Sequence, residues 1–102
     1  MSVATISEAQ FETEVMASQL PVLVEFMTTR SQACSQMAPE LDLLATELAD
    51  KAKILRVDIG ESPRLAQMLR IQSVPTYVAF AGGRPVAAEQ GALPRQRLRQ
   101  VL

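Results

Sequence analysis

Pro21-Val22-Leu23-Val24-Glu25-Phe26-Met27-Thr28-Thr29-Arg30-Ser31-Gln32-Ala33-Cys34-Ser35-Gln36-Met37-Ala38-Pro39 is the stretch on which the fold turns. Val22–Met27 is apolar at every position except Glu25. A run this apolar, rather than an alternating one, reads as a strand covered on both faces and hence as a central strand of a mostly parallel sheet. Thr28–Arg30 reads as loop. Met37, Leu41, Leu44 and Leu48 then recur at steps of four, three and four, which predicts a helix to about Ala49 with one stripe against the core. Pro39 falls inside that helix and should bend it, because it removes one backbone N–H and crowds the preceding turn.

Upstream, Ser7 with Gln10 three residues later makes a capping box, and Phe11, Val15 and Met16 give the short helix it opens one apolar face. Downstream, Lys53–Ile59 reads as a second buried strand. Ser62-Pro63 supplies an N-cap followed by proline at the first helical position of a helix carrying Leu65, Ala66, Met68 and Leu69. Val74-Pro75 turns into a strand at Thr76–Ala81, and Gly82-Gly83 is a hairpin turn into Pro85–Gln90. Pro94 starts a last helix with Leu98, Val101 and Leu102 on one face. The order βαβαβαββα predicts an α/β domain in which a parallel βαβ half and an antiparallel hairpin share one mixed sheet, flanked by about four helices.

The 102 residues suffice for one core and not for two. At 48% hydrophobic and 21% charged the chain is ordinary for a globular protein, and a net charge of −1 offers no case for nucleic acid or for an anionic membrane. The charge is sorted along the chain, however. Residues 1–52 carry eight acids against two bases, and residues 53–102 carry eight bases against three acids, a bipolarity that either orients a partner or only decorates solvated faces. No apolar stretch approaches the ~20 residues of a membrane span, and the N-terminus has no basic region followed by an apolar run, so no signal peptide is expected. The single cysteine forms no internal disulfide and suits a reducing, cytoplasmic setting. With no histidine in the chain, a metal site, a cofactor and a Cys–His dyad are all unexpected.

These motifs, taken together, resemble the thioredoxin family over essentially the whole chain. Val22–Pro39 resembles the family's strand, active-site loop and kinked helix, with Cys34 at the second-cysteine position and Pro39 at the kink. Val74-Pro75-Thr76 looks like its cis-proline signature, and Gly82-Gly83 and Gly91-Ala92-Leu93 look like its hairpin turn and last strand-to-helix junction. Arg30-Ser31-Gln32-x-Cys34 with Met37-x-Pro39-x-Leu41 is similar, more narrowly, to the thioredoxin domain of the chaperedoxin (CnoX) family, holdases that add helical repeats to this domain. On that resemblance residues 1–102 read as a single domain, either alone or excised from the N-terminal end of a longer protein. Ile59 stands where the best-known chaperedoxins place a second cysteine.

Ser31 occupies the position of the attacking thiol. A hydroxyl with no histidine to activate it is a far poorer nucleophile than a thiolate, so Ser31 is expected to cap the helix at the N–H of Ala33 or Cys34. Cys34 is either a small buried hydrophobe or a monothiol able to form mixed disulfides or a sulfenic acid. The resemblance puts Glu25 beneath the site as a buried acid. Arg56, on the neighbouring strand, is its candidate partner, because a buried carboxylate needs one. Val74 and Pro75, with Met27, Arg30, Ala33, Ile71 and Ala92 around them, are expected to offer an apolar groove and a free backbone edge to an extended peptide. The favoured expectation is a binding domain of the chaperone type, taking unfolded or extended client polypeptides or partner chaperones. The alternatives are a monothiol oxidoreductase or redox sensor working through Cys34, and a Cys-to-Ser variant of an active thioredoxin.

Overall fold

The computed structural model describes residues 3–102. Five strands form one sheet in the order β1-β3-β2-β4-β5: β1 (Ala4–Thr5), β2 (Val22–Met27), β3 (Lys53–Asp58), β4 (Thr76–Ala81) and β5 (Arg84–Gln90). β1, β3 and β2 run parallel, whereas β4 and β5 are antiparallel to their neighbours. The helices are α1 (Glu8–Phe11), continued by a π-helical turn Glu12–Met16, then α2 (Gln32–Glu47), α3 (Pro63–Met68) and α4 (Arg95–Val101). The expected βαβαβαββα order and mixed sheet are those observed.

β2 sits in the middle of the sheet, which is why all six of its residues are buried. Alternate β2 residues feed two cores. Val22, Val24 and Phe26 pack with Phe11, Val15 and Phe80 under α1 and α3. Leu23 packs with Met37, Leu41, Leu44 and Leu98 under α2 and α4. Phe11 and Phe80 meet edge to face at 5.5 Å between centroids. The sheet thus holds its central strand between two apolar layers, and the carboxylate of Glu25 is carried into the second layer with it.

The local signals act as elementary stereochemistry requires. Ser7 accepts from the Gln10 N–H at 3.3 Å, and the Gln10 side chain accepts from the Ser7 N–H at 2.9 Å, closing the capping box. α2 runs through Pro39, which cannot donate to the Ser35 carbonyl one turn earlier. Gly82 and Gly83 both have positive φ (59° and 78°), as the tight hairpin needs, and a Cβ on Gly83 would lie 2.8 Å from the Met16 carbonyl oxygen. α3 closes with the paired bonds Ile71 N–H to Ala66 O and Arg70 N–H to Gln67 O, with Arg70 itself left-handed at φ 57°.

Three expectations are corrected. The first helix widens after Phe11 into a π turn, closed by Ala17 N–H on Glu12 O at 2.9 Å; this keeps Phe11 and Val15 buried and leaves Met16 36% exposed, off the core face. Ser62 is the N-cap of α3 and Pro63 opens the helix, as expected, but the Ser62 side chain makes no cap bond, because at φ −128°, ψ 61° it lacks the extended backbone that aims a cap inward. The charge sorting along the chain is used internally. Lys53–Glu14, Arg56–Glu25, Arg95–Glu40, Arg95–Glu47 and Arg99–Glu47 each join an acid of the first half to a base of the second. Three of these five contacts fasten α4 to α2, so the bipolarity is largely a record of how the halves dock. Each exposed pair is worth little singly.

Candidate functional site

The end of β2 delivers the chain into the loop Thr28–Arg30 and then into α2, whose first residues carry the site. Ser31 is the N-cap, with extended backbone (φ −83°, ψ 123°), and its Oγ accepts the Cys34 N–H at 3.3 Å. Cys34 lies in the first turn with its thiol inside the core, 1% exposed. The helix therefore presents a hydroxyl at its mouth and hides its only thiol one turn behind it.

In β2 lies a fully buried carboxylate, Glu25, with both oxygens engaged. Arg56 Nε donates to Glu25 Oε1 at 2.8 Å, and the Tyr77 hydroxyl donates to Glu25 Oε2 at 2.6 Å. Strand register explains the arrangement: Glu25 is the parallel partner of Arg56 and the antiparallel partner of Tyr77. Glu25 and Tyr77 are both 0% exposed, whereas the Arg56 side chain keeps 19% of its surface. Charge-assisted bonds of this kind are what let a carboxylate stay buried. Tyr77 was not singled out from sequence, where it reads as an ordinary core residue of β4.

Burial first, then the hydrogen bond to Glu25 and its negative charge, push the Tyr77 phenol well above its ordinary range, with Arg56 opposing. The sign of the consequence follows from linkage. Below about pH 10 both folded and unfolded chains keep the phenol proton. Above it only the unfolded chain releases it, so stability falls by about 1.36 kcal/mol per pH unit for this one group. Tyr77 is the chain's single tyrosine and there is no tryptophan. Tyrosinate absorbance in an alkaline titration is therefore expected to rise only together with loss of the far-UV circular dichroism of the fold. Tyrosinate forming in the folded protein would contradict the buried Tyr77–Glu25 contact.

The Val74–Pro75 bond is cis. Pro75 is buried, Val74 is half-buried, and Arg30 and Ala92 are exposed. The backbone N–H and C=O of Val74 make no hydrogen bond among the described residues. Met27, expected to line a groove here, is instead buried at 3% because it completes β2. A surface cleft of about 470 Å³ lies between the end of α3 and β4–β5, where Leu69, Arg70, Ile71, Thr76 and Val78 line it. Among the described residues no group of three or more potential metal ligands converges, and no helix is long and apolar enough to cross a membrane.

The thioredoxin family model matches residues 2–102. The chain is 35% identical to thioredoxin 1 of a Nostoc species over 97% of its length and 92% of that protein. It is 36% identical to thioredoxin 1 of Synechococcus elongatus, covering 100% of the chain and 96% of the relative. It is 34% identical to the thioredoxin of Haemophilus influenzae over 91% and 87%. These findings correct the favoured functional expectation. The similarity runs end to end with proteins named thioredoxins, and nothing in it points to the chaperedoxins or to a chaperone-type binding domain. The narrower resemblance rested on a few residues between Arg30 and Leu41, at the start of α2, whereas the match to thioredoxins spans residues 2–102.

Proposed function

The chain belongs to the thioredoxin family, and from that premise we propose that it works in thiol–disulfide exchange with Cys34 as the exchanging sulfur. The observation that carries this reading is the Ser31–Cys34 helix start, in a fold that also holds a cis Val74–Pro75 bond and leaves the Val74 backbone unpaired among the described residues. An extended polypeptide bearing a disulfide pairs with Val74, with Arg30 and Ala92 at the rim, in the manner of strand addition. A cytoplasmic, reducing setting keeps the single thiol free.

The chemistry with one sulfur is limited but complete. Cys34 Sγ, as thiolate, attacks one sulfur of the substrate disulfide; the Cys34–substrate bond forms, the substrate S–S bond breaks, and the departing thiolate takes a proton from water. An external low-molecular-weight thiol then attacks the substrate sulfur of that mixed disulfide, which frees Cys34. A second external thiol reduces the product, so two external thiols supply the two electrons that an internal dithiol would have given. At 1% exposure the sulfur is reached only when the first turn of α2 opens, which makes the exchange slow.

The wild-type protein is expected to accelerate exchange between a peptide disulfide and glutathione, and C34S to give only the uncatalysed rate. Equal rates for the two proteins would remove Cys34 from the reaction.

A further inference from the structure

α3 ends on Met68, and the helix turns that residue outward. Leu65 and Ala66 are buried and Leu69 packs against the core, so these three take the inward arc and Met68 is left 77% exposed. The other described methionines are Met16 at 36%, Met37 at 4% and Met27 at 3%, and Cys34 is 1% exposed. Met68 also stands in the wall of a largely apolar cleft of about 450 Å³, with Leu69, Val78, Pro85, Ala87 and Ala88. Among the described residues, the sulfur that solvent reaches most freely is therefore a thioether and not the thiol.

We propose that Met68 is an oxidation site for hydroperoxides, converted to the sulfoxide in the folded protein and ahead of Cys34. The thioether sulfur attacks one oxygen of the peroxide; the S–O bond forms and the O–O bond breaks. Sulfur gives up two electrons, and the departing oxygen takes the proton of the transferred one and leaves as water or as an alcohol. The peroxide is the only oxidant the step requires. Oxidation of a cysteine needs both thiolate character and exposure, and burial withholds exposure from Cys34. A thioether has no proton to lose, so Met68 needs exposure alone. The product sets a polar oxygen on the wall of the apolar cleft. Met68 belongs to neither buried core, so the fold survives the change. None of this depends on exchange by Cys34.

The test exposes the native wild type, M68L and C34S to hydrogen peroxide at about pH 5.5, where thiolate is scarce and a thioether is unaffected. Tryptic cleavage after Arg64 and Arg70 isolates Met68 in the peptide 65–70, whereas Cys34 and Met37 share the peptide 31–51. Peptide 65–70 is expected to gain one oxygen about tenfold or more faster than peptide 31–51, and Met68 to precede Met16. The rate is expected to be the same in C34S, the fast gain of one oxygen to be absent from M68L, and the far-UV circular dichroism of the oxidised wild type to be unchanged. Oxidation of Cys34 or Met16 before Met68 overturns the proposal. So does a Met68 rate no faster than that of Met37, or one that falls in C34S, or loss of the fold as Met68 is oxidised.

Discussion

S31C is expected to raise disulfide-reducing turnover by ~100-fold or more, because it places a thiol at the mouth of α2 where the wild type has only a hydroxyl. Position 31 is half-buried and caps a 16-residue helix, whose N-terminal dipole and free N–H groups favour a thiolate there. Ser31 Oγ already sits 3.3 Å from the Cys34 N–H, one turn from the second sulfur, so the new thiol is placed to be displaced by Cys34 and close an internal bridge. Loss of the serine cap costs about 1 kcal/mol at most, which the fold should tolerate. Insulin reduction driven by an external dithiol checks the gain, with S31C/C34S as the control that should accumulate mixed disulfide without turning over. A folded S31C protein that forms the 31–34 disulfide and still fails to reduce insulin would mean that the rest of the site is not a reductase scaffold.

The second large effect concerns the buried ion pair. R56A is expected to destabilise the fold by about 3–5 kcal/mol, because it leaves a carboxylate with no cation in a fully buried position. E25A is expected to cost less, about 1–3 kcal/mol, for two reasons. The Arg56 side chain retains 19% exposure and can turn its guanidinium to water. Only the Tyr77 hydroxyl is then left inside without its acceptor. Urea unfolding of the two variants gives the order directly. Equal and negligible losses would refute the pairing.

How much of this was legible in the sequence follows from the range over which each signal acts. The apolar Val22–Met27 run, the Ser7–Gln10 box and Gly82-Gly83 are local, and each dictated its own element. The Met37–Leu48 stripe is also local, and the helix it predicts, to about Ala49, runs two residues past the observed end of α2 at Glu47. Tyr77 was hidden because its role depends on sheet order. Only when β2 lies between β3 and β4 does Glu25 acquire a partner on each side, 31 residues away in Arg56 and 52 in Tyr77. A charged residue in a central strand has two flanking strands to recruit from, and a search of both would have found the phenol. The charge sorting could not be resolved from sequence for the same reason, since acids and bases far apart in sequence meet where α4 docks on α2. The chaperone-type expectation fails because it weighs a few residues between Arg30 and Leu41 above the whole chain, whose similarity is to thioredoxins from end to end.

Intact-mass analysis of the native protein incubated with a peptide disulfide addresses the central claim that Cys34 exchanges from the folded state. The account predicts a single peptide adduct on Cys34, formed faster than the chain globally unfolds and released by glutathione. An adduct that appears only at the rate of global unfolding, or none at all, would contradict it.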